Sequence, residues 1–225
     1  MDLSPHQQRL FEAYTRLLIE EGRRANLTSL RDPALIRRRH FGESLALLSA
    51  LESIEAFASP AIDIGAGAGF PGVPIKIVRP ALQLTLLEAT GKKADFLRLL
   101  VEQLGLKGVR VLHARAEEAA NGPEHREAYP LVMARAVAPL PALAELTLPF
   151  AGLGGYVALP KGSGARREVA EASRALEICG GEVVHLAPLQ TEGSGPAPTL
   201  VVLRKVRETP AGYPRRAGIP VKRPL

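Results

Sequence analysis

From residue 61 onward the chain is a succession of short apolar, β-branched runs: "AIDIG", "LQLTLLEA", "VRVLHA", "YPLVMARA", "GGYVALPK", "GEVVHLAPL" and "PTLVVLRKV". Helical segments lie between most of them, at 73–78, 92–104, 141–150 and 165–179. Strand and helix alternating at this spacing predict βαβ units with right-handed crossovers, hence a mainly parallel sheet. Only "QTEGSGPA" separates the last two runs, too short and too rich in Gly and Pro for a crossover helix, so these runs should form an antiparallel hairpin that closes a seven-stranded sheet.

The first 55 or so residues read differently. Leu10, Tyr14, Leu17 and Leu18 recur at helical spacing behind Ser4 and Pro5, an N-cap and first-turn pair. A turn at Gly22 and a second N-cap at Asp32 before Pro33 introduce another amphipathic run through Leu51. The expected organisation is a helical extension over 1–55, an α/β domain over 56–206, and a basic, proline-rich tail over 207–225 that has no periodicity.

Within the first βα unit, "AIDIGAGAGFPGVPIKIV" places Gly65, Gly67 and Gly69 at the carboxyl end of a buried strand, where open parallel sheets bind ligands. Glycine there takes positive φ and exposes bare backbone N–H groups. The glycines alternate, and the third position of the dinucleotide fingerprint falls on Phe70, which counts against NAD. Asp63 precedes the turn and would repel a pyrophosphate but favour an amino group or a sulfonium. Glu88 ends the next strand, where an acid accepts hydrogen bonds from a ribose diol. Two acids and a glycine turn describe a nucleoside that carries an amino acid, S-adenosylmethionine, bound by a Rossmann-like class I methyltransferase fold.

Charge narrows the acceptor. The net charge is +6, with Arg37, Arg38 and Arg39 together, Arg166 and Arg167 opening a helix, and seven cations against one acid, Glu208, from Arg204 onward. Such a distribution suits an RNA backbone. Lone Cys179 excludes an intramolecular disulfide and a cysteine-based zinc cluster, and no metal is expected. The amino terminus lacks the features of a signal peptide, so a cytoplasmic protein with no membrane partner, acting as a monomer, is expected. A methyltransferase of proteins or small molecules, a non-catalytic RNA-binding protein and an NAD-dependent oxidoreductase are the alternatives.

"DIGAGAGFPGVPIKIVRP", "NLTSLRD", "RHFGESL", "LLEATGKKADFL", "RAEE", "ARAVAPL", "LPKG" and the terminal "YPRRAGIPVKRPL" resemble the bacterial RsmG (GidB) family of small-subunit ribosomal RNA methyltransferases. The resemblance runs from Asn26 to the last residue. It implies methylation of nitrogen 7 of a guanosine in 16S ribosomal RNA, with the RNA or the small subunit as partner. Carried over by residue, it implies cofactor contacts at Gly65 and Phe70, at Glu88, Ala89 and Thr90, and, beside the adenine, at Ala116 and Glu117. Arg135 would stand at the mouth of the site; its alternative is a salt bridge to an acid such as Glu117. Lys161, Arg37, Arg38, Arg215 and Arg216 are the candidate RNA contacts. His40 is expected to pack between extension and core. The family's "HF-x-D-S" reads "HFGES" here, so Glu43 stands where an aspartate is usual.

Overall fold

The computed structural model describes residues 2–22, 27–28, 30, 32–191 and 197–225; Asn26, Ser29 and Arg31 of the "NLTSLRD" stretch lie outside the described residues. Helix α1 spans Pro5–Glu21, and its start is the expected one: Ser4 accepts from the Gln7 amide while the Gln7 side chain accepts from the Ser4 amide. Asp32 caps the short α2, Pro33–Leu35, through the Ala34 N–H at 2.8 Å. A π-helical turn over Ile36–Phe41 then leads into α3, Gly42–Ser53.

Strands β1 (Ala61–Ile64), β2 (Leu84–Glu88), β3 (Val109–His113), β4 (Tyr129–Ala134) and β5 (Ala151–Lys161) are parallel, while β6 (Gly181–Pro188) and β7 (Thr199–Lys205) form the expected antiparallel pair. The sheet order is β3-β2-β1-β4-β5-β7-β6, so β7 rather than β6 pairs with β5, and it does so antiparallel. The order reverses between β1 and β4, which makes their carboxyl ends the crevice of the sheet. Connecting helices are α4 (Gly72–Val78), α5 (Gly91–Gln103), α6 (Ala116–Ala119), α7 (Leu140–Thr147), α8 (Ala165–Glu171) and α9 (Ser173–Cys179). The single helix expected over 165–179 is broken at Ala172, where ψ reaches 0°.

Side chains of successive strand residues point to opposite faces, so β1 feeds both layers: Ala61 packs on one side, Ile62 and Ile64 on the other. The first layer holds α1, α3, α4 and α5, with Phe11, Tyr14 and Leu18 of the extension in one cluster with Leu97 and Leu100 of the domain. Residue 55 therefore marks a change of secondary structure inside a shared core. The second layer holds α7, α8 and α9, with Phe150 and Cys179 fully buried.

The basic tail is packed on the domain through specific contacts. It is strapped to the second layer, ending in a short helix α10, Ile219–Lys222. Lys205 is buried and donates to the carbonyls of Leu148 and Cys179. Arg126 reaches the carbonyls of Thr209, Pro210 and Tyr213. Arg215 turns inward: its guanidinium meets the fully buried Glu145 carboxylate at 2.7 Å, and its own N–H binds the same group. That carboxylate needs a cation because burial removed its water. Arg216, Lys222 and Arg223 remain exposed.

Arg215→Ala is expected to destabilise the protein by roughly 2–3 kcal/mol, less than the cost of breaking a fully buried pair because the guanidinium is partly exposed. Arg216→Ala should leave the melting temperature unchanged. Thermal denaturation of both variants checks the contrast.

Candidate functional site

The turn after β1 consists of backbone. Gly65 has φ +68°, and a Cβ there would lie 2.7 Å from a Val137 methyl; Gly69 has φ +98°, and a Cβ would lie 2.6 Å from the Tyr14 hydroxyl. The turn is held from outside. Glu88 accepts from the Gly67 N–H at 2.9 Å and the Thr90 N–H at 2.8 Å. Tyr14, from α1, donates to the Ala68 carbonyl. Asp63 accepts from the Gly72 N–H at 2.8 Å, while its other oxygen, Oδ1, is buried with no partner among the described residues.

Beneath this turn, a cavity of about 300 Å³ lies between β1, β2, α6 and the loop after β4. Gly65, Glu88, Ala89, Ala116 and Glu117 line it together, with Ile64, Leu87, Val137 and Leu146 as apolar walls and Lys93 and Arg115 as cations in the lining. Thr90 and Gly67 contribute through the amides on Glu88. Asp63 and Phe70 are absent from the lining: Asp63 lies under the turn and Phe70 packs against the extension. Val221 of α10 is in the wall, a residue that sequence reasoning missed because the tail carries no periodic signal. The residues fit a nucleoside: bare backbone at Gly65, apolar walls for a base, and carboxylates at Glu88 and Glu117 to accept its hydroxyl and amino hydrogens.

A second cleft, of about 510 Å³, opens beside the first, and Ala136 lines both. Ala136 has φ +57°, a left-handed conformation uncommon outside glycine. Arg39, His40 and Glu43 from the extension face Arg135 and Lys161 from the ends of β4 and β5. Arg135 bonds Glu43 at 3.1 Å rather than Glu117, donates to His40 Nδ1 at 3.2 Å, and lies 4.9 Å over the Phe70 ring. Because a guanidinium only donates, His40 Nδ1 accepts, and Nε2 carries the proton given to Thr28 Oγ1 at 2.8 Å. Burial, with Arg135 and Arg39 nearby, lowers the His40 pKa to about 4, so the ring is neutral; it stacks on Phe70 at 4.6 Å. Burial raises the Glu43 pKa, against the pull of Arg135.

Lys161 is committed to the Ala138 carbonyl and to Glu168, both at 2.8 Å. Arg37 and Arg38 are exposed on the π-turn beside Arg39, outside the cleft lining. Among the described residues, no group of three His, Cys, Asp or Glu is placed to hold a metal, and no helix is long and apolar enough to cross a membrane.

A sheet of this order, with a glycine turn after β1 and an acid closing β2, defines the class I methyltransferase fold. The chain belongs to the family described as rRNA small subunit methyltransferase G (GidB), whose model matches residues 7–194. Relatives named ribosomal RNA small subunit methyltransferase G include one from Desulforamulus reducens, 43% identical over all of this chain and 92% of its own length. Another, from Roseiflexus sp., is 47% identical over 99% of this chain and 94% of its own. Among solved structures, a SAM-dependent methyltransferase from Aquifex aeolicus superposes with TM-score 0.57 at 18% identity, covering 78% of this chain and 94% of its own. A mutant of MtNAS in complex with S-adenosylmethionine gives 0.59 at 18% identity, covering 89% and 76%. These two likenesses concern the fold.

Burial raises the Asp63 pKa to about 7, opposed by the Gly72 N–H and Arg135 and reinforced by Glu88. The folded state thus keeps a proton that the unfolded chain releases near 3.8; the resulting stability is full below that value and lost as pH rises to about 7. His40 has the opposite sign: its contribution is full above 6.5 and lost as pH falls toward about 4. Asp63→Asn removes the first slope, so it should gain on the parent chain by about 1.4 kcal/mol per unit as pH rises across that window. Urea unfolding at stepped pH measures this; an offset constant with pH would place the proton elsewhere.

Proposed function

We propose that the chain transfers a methyl group from S-adenosylmethionine to nitrogen 7 of a guanosine in 16S ribosomal RNA, as a monomer in the cytoplasm. The observation that carries the reading is the pair of adjoining cavities: one at the glycine turn, with Glu88 and Glu117 among apolar walls, the other bringing Arg39 beside the paired Arg135 and Lys161, with Ala136 common to both. S-adenosylmethionine supplies an electrophilic methyl on its sulfonium. Glu88 would take the ribose hydroxyls, Ala116 and Glu117 would flank the adenine, and the glycine turn would face the amino-acid portion.

Nitrogen 7 of guanine offers an in-plane lone pair and has no proton to lose, so no general base is required. The groups around the second cleft agree with that chemistry: neutral His40 and paired Glu43 both hold Arg135. The protein's contribution is then alignment, which in the best intramolecular cases lowers a barrier by about 7 kcal/mol or more. Arg135 would stand at the meeting of donor and acceptor. Arg37 and Arg38 beside the cleft, and Arg216 on the strap, are exposed cations suited to phosphates; removing any one of them should flatten the salt dependence by roughly 0.7 for single-stranded RNA. The name shared by the relatives, ribosomal RNA small subunit methyltransferase G, supports the choice of RNA.

Incubating the protein with labelled S-adenosylmethionine and either naked 16S RNA, small subunits or protein extract tests the acceptor. Borohydride and aniline treatment with primer extension then maps the nucleotide; a stop at one guanosine is expected, and label confined to protein would overturn the reading. Glu88→Ala should weaken the cofactor by about 1.5–3 kcal/mol, the range for a hydrogen bond to a charged group. Calorimetry on the folded variant checks it.

A further inference from the structure

The strap does more than cover α7. Its Gly218 N–H donates to Glu117 Oε1 at 2.7 Å, across 101 residues of sequence, and three residues later Val221 enters the wall of the smaller cavity. Glu117 is itself a lining residue, buried at 7% exposure. Leu146, in the same wall, is the immediate neighbour of Glu145, the acid that Arg215 clamps. One end of the tail thus orients an acid of the cavity, supplies an apolar contact, and is anchored on the helix that forms a further wall.

We propose that the segment Gly218–Val221 is a positioning element of the nucleoside site: it fixes the Glu117 carboxylate and closes the base-binding end with the Val221 side chain. The inference rests on the reading of the smaller cavity as a purine nucleoside site. With Oε1 committed to the strap, Glu117 keeps Oε2 to accept an N–H from the base. Gly218 has φ +79°, and a Cβ there would meet nothing within 4 Å, so the glycine serves backbone geometry, turning the chain so that its N–H faces Glu117. Val221 is 51% exposed, apolar surface that a bound base would cover. Because binding and strap docking share these groups, each must favour the other by the same factor.

Two measurements decide it. Val221→Ala, at a half-exposed position, should melt with the parent protein yet bind S-adenosylhomocysteine roughly three- to tenfold more weakly in calorimetry, as removal of a small apolar surface predicts. In hydrogen exchange on the parent chain, saturating S-adenosylhomocysteine should slow the amides of 218–223, and Glu117→Ala without ligand should speed them. Unchanged affinity in Val221→Ala, or exchange at 218–223 indifferent to ligand, overturns the proposal. If the parent chain fails to bind S-adenosylhomocysteine at all, the assignment of the cavity falls with it, an outcome separate from a ligand that binds without sensing the strap.

Discussion

A turn made of glycine and alanine can lie against a ligand only because it has almost no side chains with which to hold itself in place. Its conformation must be imposed by neighbours, and three of them do so from different directions. Glu88 reaches across from β2 to Gly67, Asp63 ties the start of α4 from below, and Tyr14 comes from α1 to the Ala68 carbonyl. The buried Gly72 N–H and Ala68 carbonyl would otherwise lose their solvent without replacement, at about 1–3 kcal/mol apiece, and the part-buried Gly67 N–H somewhat less. The extension is thus a component of the site.

The second dependence is electrostatic. Burial of Arg135 lowers its pKa, and the protein answers with a carboxylate, an imidazole nitrogen and an aromatic face. The imidazole can accept only while neutral, and burial ensures that it is. Glu43 is the acid in this arrangement, so the longer arm that replaces the usual aspartate still arrives at the guanidinium. Phe70 accepts the cation on its ring while closing an aromatic cluster with Tyr14, His40 and Phe41.

Features encoded by local chemistry were legible in the sequence. Ser4 and Asp32 cap helices where their neighbours say they should, the alternation of runs yields the parallel sheet, and the short hairpin loop yields antiparallel β6 and β7. Direction escaped. The spacing that put Asp63 before the glycines could not tell that its side chain faces the layer under the turn, and a basic count could not separate Arg215, drawn inward by a buried acid, from Arg216, left in solvent. The tail has no hydrophobic period because its order comes from side chains of the domain hooking its carbonyls, as Arg126 does. Such contacts between residues distant in sequence leave no local mark, and for that reason Val221 was invisible.

The π-turn over Ile36–Phe41 carries one residue more per turn than an α-helix would, closed by the Gly42 N–H on the Arg37 carbonyl. That extra residue sets the angular phase between the helical segments on its two sides: Arg37 and Arg38 face solvent while His40 and Glu43 converge on one guanidinium. Removing a residue here would rotate the two sides by about 100° relative to each other. The segment is therefore geared by its length: side chains along it can be exchanged one at a time, whereas a deletion would turn the basic triplet and the Arg135 ligands out of step in a single stroke.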